Sequence, residues 1–359
     1  MSFFLAFGGF AVLIILHEFG HFTAAKAVGM RVERFSLFFP PTLVKKKVGE
    51  TEYAIGAIPA GGYVKISGMN PDEKLPDEVR TRAYYSQPVW KRIVVIAAGP
   101  AVNLLLAFIL LLVFFAAIGP ERQTREVGDI SKGFPAAGVL HRGDKLLAVD
   151  GRRGSLAQLS DRIASHQCAR KPPQPKCKAA TPATVTVLRH GQRRTFELTP
   201  LYDAKLKRNR LGFAYLIGPR KPYSFGKALS VSVDQFWLIT KRTAEIPARI
   251  VNPEKRKEIT GVVGVSKVAH DTILSDLADA IALLAIVSLS LAIVNLFPFL
   301  PLDGGHIFWA VVEKIRRKPV PFSVMERAGV VGFMLVIGLF LIGFTNDIGR
   351  LTGGGFDVR

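Results

Sequence analysis

The chain has 359 residues, enough for two or three domains, and 49% of them are hydrophobic, with phenylalanine alone occurring 25 times. Its 48 Lys and Arg against 28 Asp and Glu leave a formal net charge of +20. High hydrophobicity and high charge in one chain must be segregated along it, which excludes both a wholly polar disordered chain and an evenly mixed one.

The first element is a nearly continuous apolar run from Phe3 to Phe22, long enough to cross a bilayer. It has no basic n-region and no small-residue cleavage site, so it reads as a retained helix and not as a removable signal peptide. Near its end stands His17-Glu18-Phe19-Gly20-His21, an H-E-x-x-H motif. Residues four apart share a helix face, so His17 and His21 can reach one metal ion, with Glu18 placed to take a proton from an activated water. An exposed helix end with two histidines is the competing reading. Ionisable groups inside an apolar span are costly and mark a function, which favours a zinc site.

Four short strands should follow: Arg31 to Phe39, Thr42 to Val48, Thr51 to Ile58 and Gly61 to Ile66, separated by Pro40-Pro41, Gly49 and Pro59. Residues 68–88 are polar and read as a surface loop. A second span runs from Ile93 to Ile118 and carries Gly99-Pro100-Ala101-Val102-Asn103. Gly99-Pro100 permits close helix packing and a kink. Asn103 either bonds between helices or points into a polar active site.

Residues 119–276 hold 29 Lys and Arg against 14 Asp and Glu. A solvated basic surface is the plain reading; acidic lipid headgroups or acidic partners are the other, and nucleic acid does not fit the outer side of a membrane. The two cysteines of the chain, Cys168 and Cys177, flank a Pro-rich loop here and read as a local disulfide staple in an oxidising compartment, two free thiols or a metal pair with no supporting ligands nearby being the alternatives. Strands alternate with one short helix over residues 125–200. Ser224 to Val251 is amphipathic, and suits either a helix on the membrane surface or one packed on the preceding domain.

A third span, Leu277 to Leu300, ends in Asn295-Leu-Phe-Pro298-Phe-Leu-Pro301-Leu-Asp303-Gly304-Gly305-His306. Asp303 at the polar end of an apolar helix is a natural third zinc ligand, with Gly304 and Gly305 giving backbone freedom to turn it inward; an interfacial turn is the alternative. The fourth span, Gly329 to Phe344, is short but strongly apolar. Lys26, Arg31, Arg34, Lys91 and Arg92 flank the first connection, and Lys314, Arg316, Arg317, Lys318 and Arg327 lie between spans three and four. The positive-inside rule puts both connections in the cytoplasm, leaving both termini and residues 119–276 outside and the zinc motif toward the cytoplasmic side.

Taken together, these motifs resemble the site-2 protease family of intramembrane zinc metalloproteases, in particular the bacterial regulator-of-sigma-E-type proteases with one PDZ domain. The matching pieces are His17–His21, Gly61-Gly62-Tyr63-Val64-Lys65, Gly99–Asn103, the Asn295–Gly305 motif, a PDZ-like stretch from Pro135 to Gly151, and Gly261-Val-Val-Gly264-Val265. The resemblance implies a polytopic α-helical membrane protein of the bacterial inner membrane, with four transmembrane helices, a membrane-associated β-loop and one extracytoplasmic α+β PDZ domain. Its divisions would be 1–118 for helices one and two with the β-loop, 119–201 for the PDZ domain, 202–276 for an amphipathic helical linker, and 277–359 for helices three and four. It implies zinc held by His17, His21 and Asp303, with Glu18 as general base. Asn295, Asn103 and the Gly62-Tyr63 strand would contact substrate. Substrates would be single-span membrane proteins, such as a pre-cut anti-sigma factor or a remnant signal peptide. A non-catalytic zinc-stabilised receptor or scaffold and a metal transporter are the rival classes, the latter needing several intramembrane ligand sites where one is visible.

Overall fold

A computed structural model describes residues 2–70, 73–168, 172–204, 206–256, 259, 261, 263–264, 267 and 277–353. The elements begin with helix α1 (Ser2–Ala27), strands β1 (Val32–Val48) and β2 (Thr51–Ile66), and helix α2 (Val89–Val113), which continues as a π turn over Phe114–Ile118. Next come β3 (Arg122–Ile130), β4 (Lys145–Val149), α3 (Leu156–Ser165), β5 (Ala183–Arg189), β6 (Gln192–Leu198), β7 (Leu201–Asp203), β8 (Arg208–Arg210) and β9 (Phe213–Gly218). The chain ends with α4 (Phe225–Ala244), α5 (Leu277–Asn295), α6 (Asp303–Arg316) and α7 (Phe322–Gly353). Residues 1–118 and 222–359 form one compact unit, and Gly119–Lys221 form another.

In the first unit, four helical stretches are long and apolar enough to cross a membrane: Gly8–Ala27, Val89–Ile118, Ala278–Asn295 and Phe322–Thr352. The third stops short of the expected Leu300. Pro298 and Pro301 have no N–H to continue the helical ladder, so the chain turns and Asp303 opens a separate helix, α6. The fourth is much longer than Gly329 to Phe344, because the helix also takes in Glu326, Arg327 and the polar Thr345-Asn346-Asp347 turn. Of the expected Gly261–Val265 motif, residues 262 and 265 lie outside the described residues, as do 268–276 of the expected linker. Gly261 and Gly264 donate their backbone N–H groups to the buried Asp347 carboxylate, at 3.1 and 2.7 Å.

The four expected strands are present as the halves of two long, bent ones. Arg34 is paired with both Lys65 and Glu52, and Phe35 with both Val64 and Tyr53, so the first half of β1 lies between the two halves of β2. The second half, Thr42–Val48, pairs back onto Thr51–Gly56. Among the described residues no strand pairs with the other side of the Gly62–Ile66 segment, which is therefore a free edge. Ala25, Met30, Val32, Ile66, Tyr84, Val95 and Ile96 form a buried cluster that joins the hairpin to the ends of α1 and α2. Met30 and Val32 are fully buried, each contributing about 1.5–3 kcal/mol by removal from water.

Helix α4 packs on α2 and α5, with Ala228 buried among Leu111, Phe114, Phe115, Ala278 and Ala285.

The second unit is a five-stranded antiparallel sheet in the order β6-β5-β4-β3-β9, with β7 and β8 as a separate hairpin. Val127, Leu140, Leu146, Val149, Leu159 and Ile163 fill its core. Ser155 and Gln158 close a capping box at the start of α3. The unit runs past the expected boundary at 201, because β9 pairs with β3 and its Phe213 and Tyr215 pack on the core. Residues 202–221 therefore belong to this sheet-forming unit and not to a helical linker. Cys168 and Cys177 are joined as a disulfide, with Cα atoms 5.9 Å apart.

Candidate metal centre

Helix α1 carries His17 and His21 one turn apart, with ring centroids 4.9 Å apart and nearly perpendicular planes. Their position depends on a close crossing of α1 and α2. A Cβ on Gly20 would stand 2.6 Å from the Ala98 carbonyl oxygen, and one on Gly99 would overlap the His21 imidazole. Gly99→Ala is thus expected to push the ring aside and weaken metal affinity by about 10–100-fold, the range typical for disturbed ligand support. Competition against a zinc chelator measures this, and an unchanged affinity would remove Gly99 from the site.

Hydrogen bonds fix which nitrogens face inward. His21 Nδ1 lies 2.9 Å from the Val95 carbonyl, which can only accept, so Nδ1 carries the proton and Nε2 is bare. His17 Nδ1 lies 3.3 Å from the Asn103 amide, whose Oδ1 is buried without a partner. Turning that amide through 180° lets Oδ1 accept from His17 Nδ1–H, satisfying both groups and leaving His17 Nε2 bare as well. Ser288 Oγ donates to the Asn103 carbonyl at 2.9 Å, tying α5 to the same point.

Asp303 arrives from α6, which a bidentate ion pair anchors to α2: Arg92 donates to both Glu313 oxygens, at 2.9 and 2.6 Å. Gly304 and Gly305 sit under the returning turn, where a Cβ would overlap the Leu296 carbonyl and the backbone around Phe299 and Leu300. Both are ordinary helical residues. Their role is close approach, and the expected backbone freedom for turning Asp303 is not used.

Asp303 Oδ2 lies 3.1 Å from His17 Nε2 and 3.4 Å from His21 Nε2, and the two nitrogens are 3.3 Å apart. Oδ2 is buried and has no hydrogen-bond donor. Three lone pairs converging at these distances repel unless a cation lies among them. Tetrahedral zinc with bonds of about 2.0–2.1 Å separates its donors by about 3.3 Å, so the three atoms fit that ion.

Glu18 stands beside this triangle in the wall of a cavity of about 380 Å³. A Cβ on Gly62 would lie 3.0 Å from its Cγ, so the hairpin passes close beside the Glu18 side chain. Gly62, Tyr63 and Asn295 also line the cavity, and Asn295 Nδ2 is 3.5 Å from His17 Nε2. Asn103 does not: it is fully buried behind His17, and so is placed to orient a ligand and not to touch substrate. His306 lines the cavity too, although the motif reading gave it no role. Its only sequence signal is its place three residues after Asp303.

The profile of peptidase family M50 matches residues 5–339. The chain belongs to peptidase family M50, the site-2 proteases. A protein of Nostoc sp. is 30% identical over 98% of this chain and 97% of its own length. One of Brucella suis is 30% identical over 94% and 92%, and one of Campylobacter jejuni 27% identical over 95% and 91%. All three carry the provisional name of zinc metalloprotease. As an M50 member with four candidate spans, the chain is a membrane metalloprotease.

Proposed function

We propose that the chain is an intramembrane zinc endopeptidase that cleaves peptide bonds in or near the transmembrane segments of other proteins. The observation that carries this reading is the His17–His21–Asp303 triangle, with Glu18 beside it, whose two histidines and glutamate lie on a helix able to cross a membrane while Asp303 comes from α6. Held by these three side chains, zinc would polarise the scissile carbonyl and bring the pKa of a water near 7. Glu18 takes the proton of the attacking water and returns it to the departing nitrogen. A helical substrate hides its peptide bonds and must be extended first. The free Gly62–Ile66 edge beside Glu18 offers backbone groups to an added strand, and Asn295 a side-chain amide. Asn103 serves by holding His17.

In this reading, zinc is the resident metal and the protein lies in the bacterial inner membrane, with both termini and residues 119–221 outside and the site toward the cytoplasm. The charge pattern of the connections supports this orientation. Residues 119–221 act as a PDZ domain that excludes intact ectodomains or binds a new C-terminus. Pre-cut single-span anti-sigma factors and remnant signal peptides are the substrate classes it would admit.

The test is cleavage of single-span substrates by the purified protein in lipid vesicles, with fragment ends mapped. Cleavage within the membrane segment should stop with a zinc chelator and return with zinc. Zinc-loaded protein that cuts none of these substrates would overturn the reading, leaving a zinc-stabilised receptor. Comparing membrane fragments in cells with and without active protein would then name the substrates.

A further inference from the structure

Of the polar side chains in the cavity wall, most are engaged. The His17, His21 and Asp303 atoms face one another, Glu18 is the base of the proposed reaction, the Tyr63 hydroxyl accepts from Arg34 at 3.1 Å, and Asn295 turns to His17. His306 is different. Neither of its ring nitrogens has a hydrogen-bond partner among the described residues. It stands outside the ligand group, whose atoms all lie within 4.8 Å of one another, so it is no fourth ligand in this arrangement. Yet it follows Asp303 by three residues on α6, which puts both side chains on one helix face and toward one cavity.

We propose that His306 is a catalytic residue whose N–H donates a hydrogen bond to the oxyanion formed on the scissile carbonyl. It has this role only if the proteolytic reading above holds. On attack the water oxygen bonds to the carbonyl carbon, its proton passes to Glu18, and the carbonyl π pair moves onto oxygen. On collapse that pair returns, the C–N bond breaks, and the nitrogen leaves with the proton from Glu18. His306 gives up no proton in either step. A metal alone polarises the carbonyl from one side, and a preorganised donor adds charge stabilisation that strengthens only as the oxyanion develops.

The test compares wild type, His306→Leu and His306→Gln in vesicles, with zinc content, melting temperature and cleavage kinetics measured together. Loss of one oxyanion donor typically lowers kcat by about 10²–10³-fold, and His306→Leu should do so with KM within about twofold. Zinc content should stay at the wild-type ratio. Affinity for a phosphinic peptide, a mimic of the tetrahedral anion, should fall by a similar factor, while binding of an uncleaved peptide of the same sequence to a Glu18→Gln background stays level. His306→Gln retains an N–H donor and should recover part of kcat. A purely structural histidine would instead lower zinc content or melting temperature and weaken both peptides equally, which would overturn the assignment, as would an unchanged kcat in His306→Leu. If wild type cleaves and His306→Leu is unimpaired, only the role of His306 falls; if zinc-loaded wild type cleaves nothing, both readings fall.

Discussion

Glu18→Gln is expected to bind zinc as tightly as wild type and to lose peptide cleavage by about 10²–10⁴-fold, the usual contribution of a positioned general base. The amide is nearly isosteric with the carboxylate, so the cavity wall and the crossing of α1 with the hairpin should survive. It cannot accept a proton from water. Glu18 is outside the group of converging ligand atoms, which is why metal content and activity should separate. Metal analysis and fragment yield on one preparation check both halves. Full activity in Glu18→Gln would sink the general-base assignment, and loss of zinc would recast Glu18 as a ligand.

Asp303→Asn and His17→Ala should have the opposite signature, with activity lost because zinc is lost. Asp303 supplies the one negative charge among the three donors, and its Oδ2 is buried with no other partner. The neutral amide keeps the shape and removes that charge. Disturbing a group that merely supports a ligand costs about 10–100-fold in metal affinity, so loss of a ligand should exceed about 10². His17→Ala removes a donor outright and leaves Asn103 buried with nothing to hold. The zinc-to-protein ratio after dialysis against a chelator is the measurement. Wild-type zinc content in Asp303→Asn would exclude the carboxylate as a ligand, and helix content by circular dichroism distinguishes metal loss from misfolding.

The parts of the site that were legible in the sequence are those governed by short-range geometry. Two histidines four apart with a glutamate between them need only one helical turn to share a face. Asp303 could be read because a carboxylate beside an apolar span needs a reason to be there. Which element carries it was not legible, since the break depends on how Pro298 and Pro301 turn the chain into α6. Gly99, Gly304 and Gly305 illustrate a further limit. Each is small because a particular backbone or ring passes close by, and that neighbour comes from another element or from the far side of a turn. Asn103 was marked as out of place in an apolar helix, but whether it faced substrate or a neighbouring helix depended on helix rotation. The pairing of β9 with β3 spans most of the second unit, and no local pattern near residue 213 announces its partner.

That last pairing has a bearing on how such a chain can evolve. Arg122 and Gln123, among the first residues of the second unit, lie directly opposite Gly218 and Ile217, among its last. The chain thus enters and leaves that unit at adjacent points on one antiparallel stem. A segment whose two ends meet in this way behaves as a cassette. It can be duplicated, exchanged or trimmed in the gene while the reading frame on either side still joins the end of α2 to the start of α4 across a short gap. The two units can then diverge at separate rates within a single polypeptide.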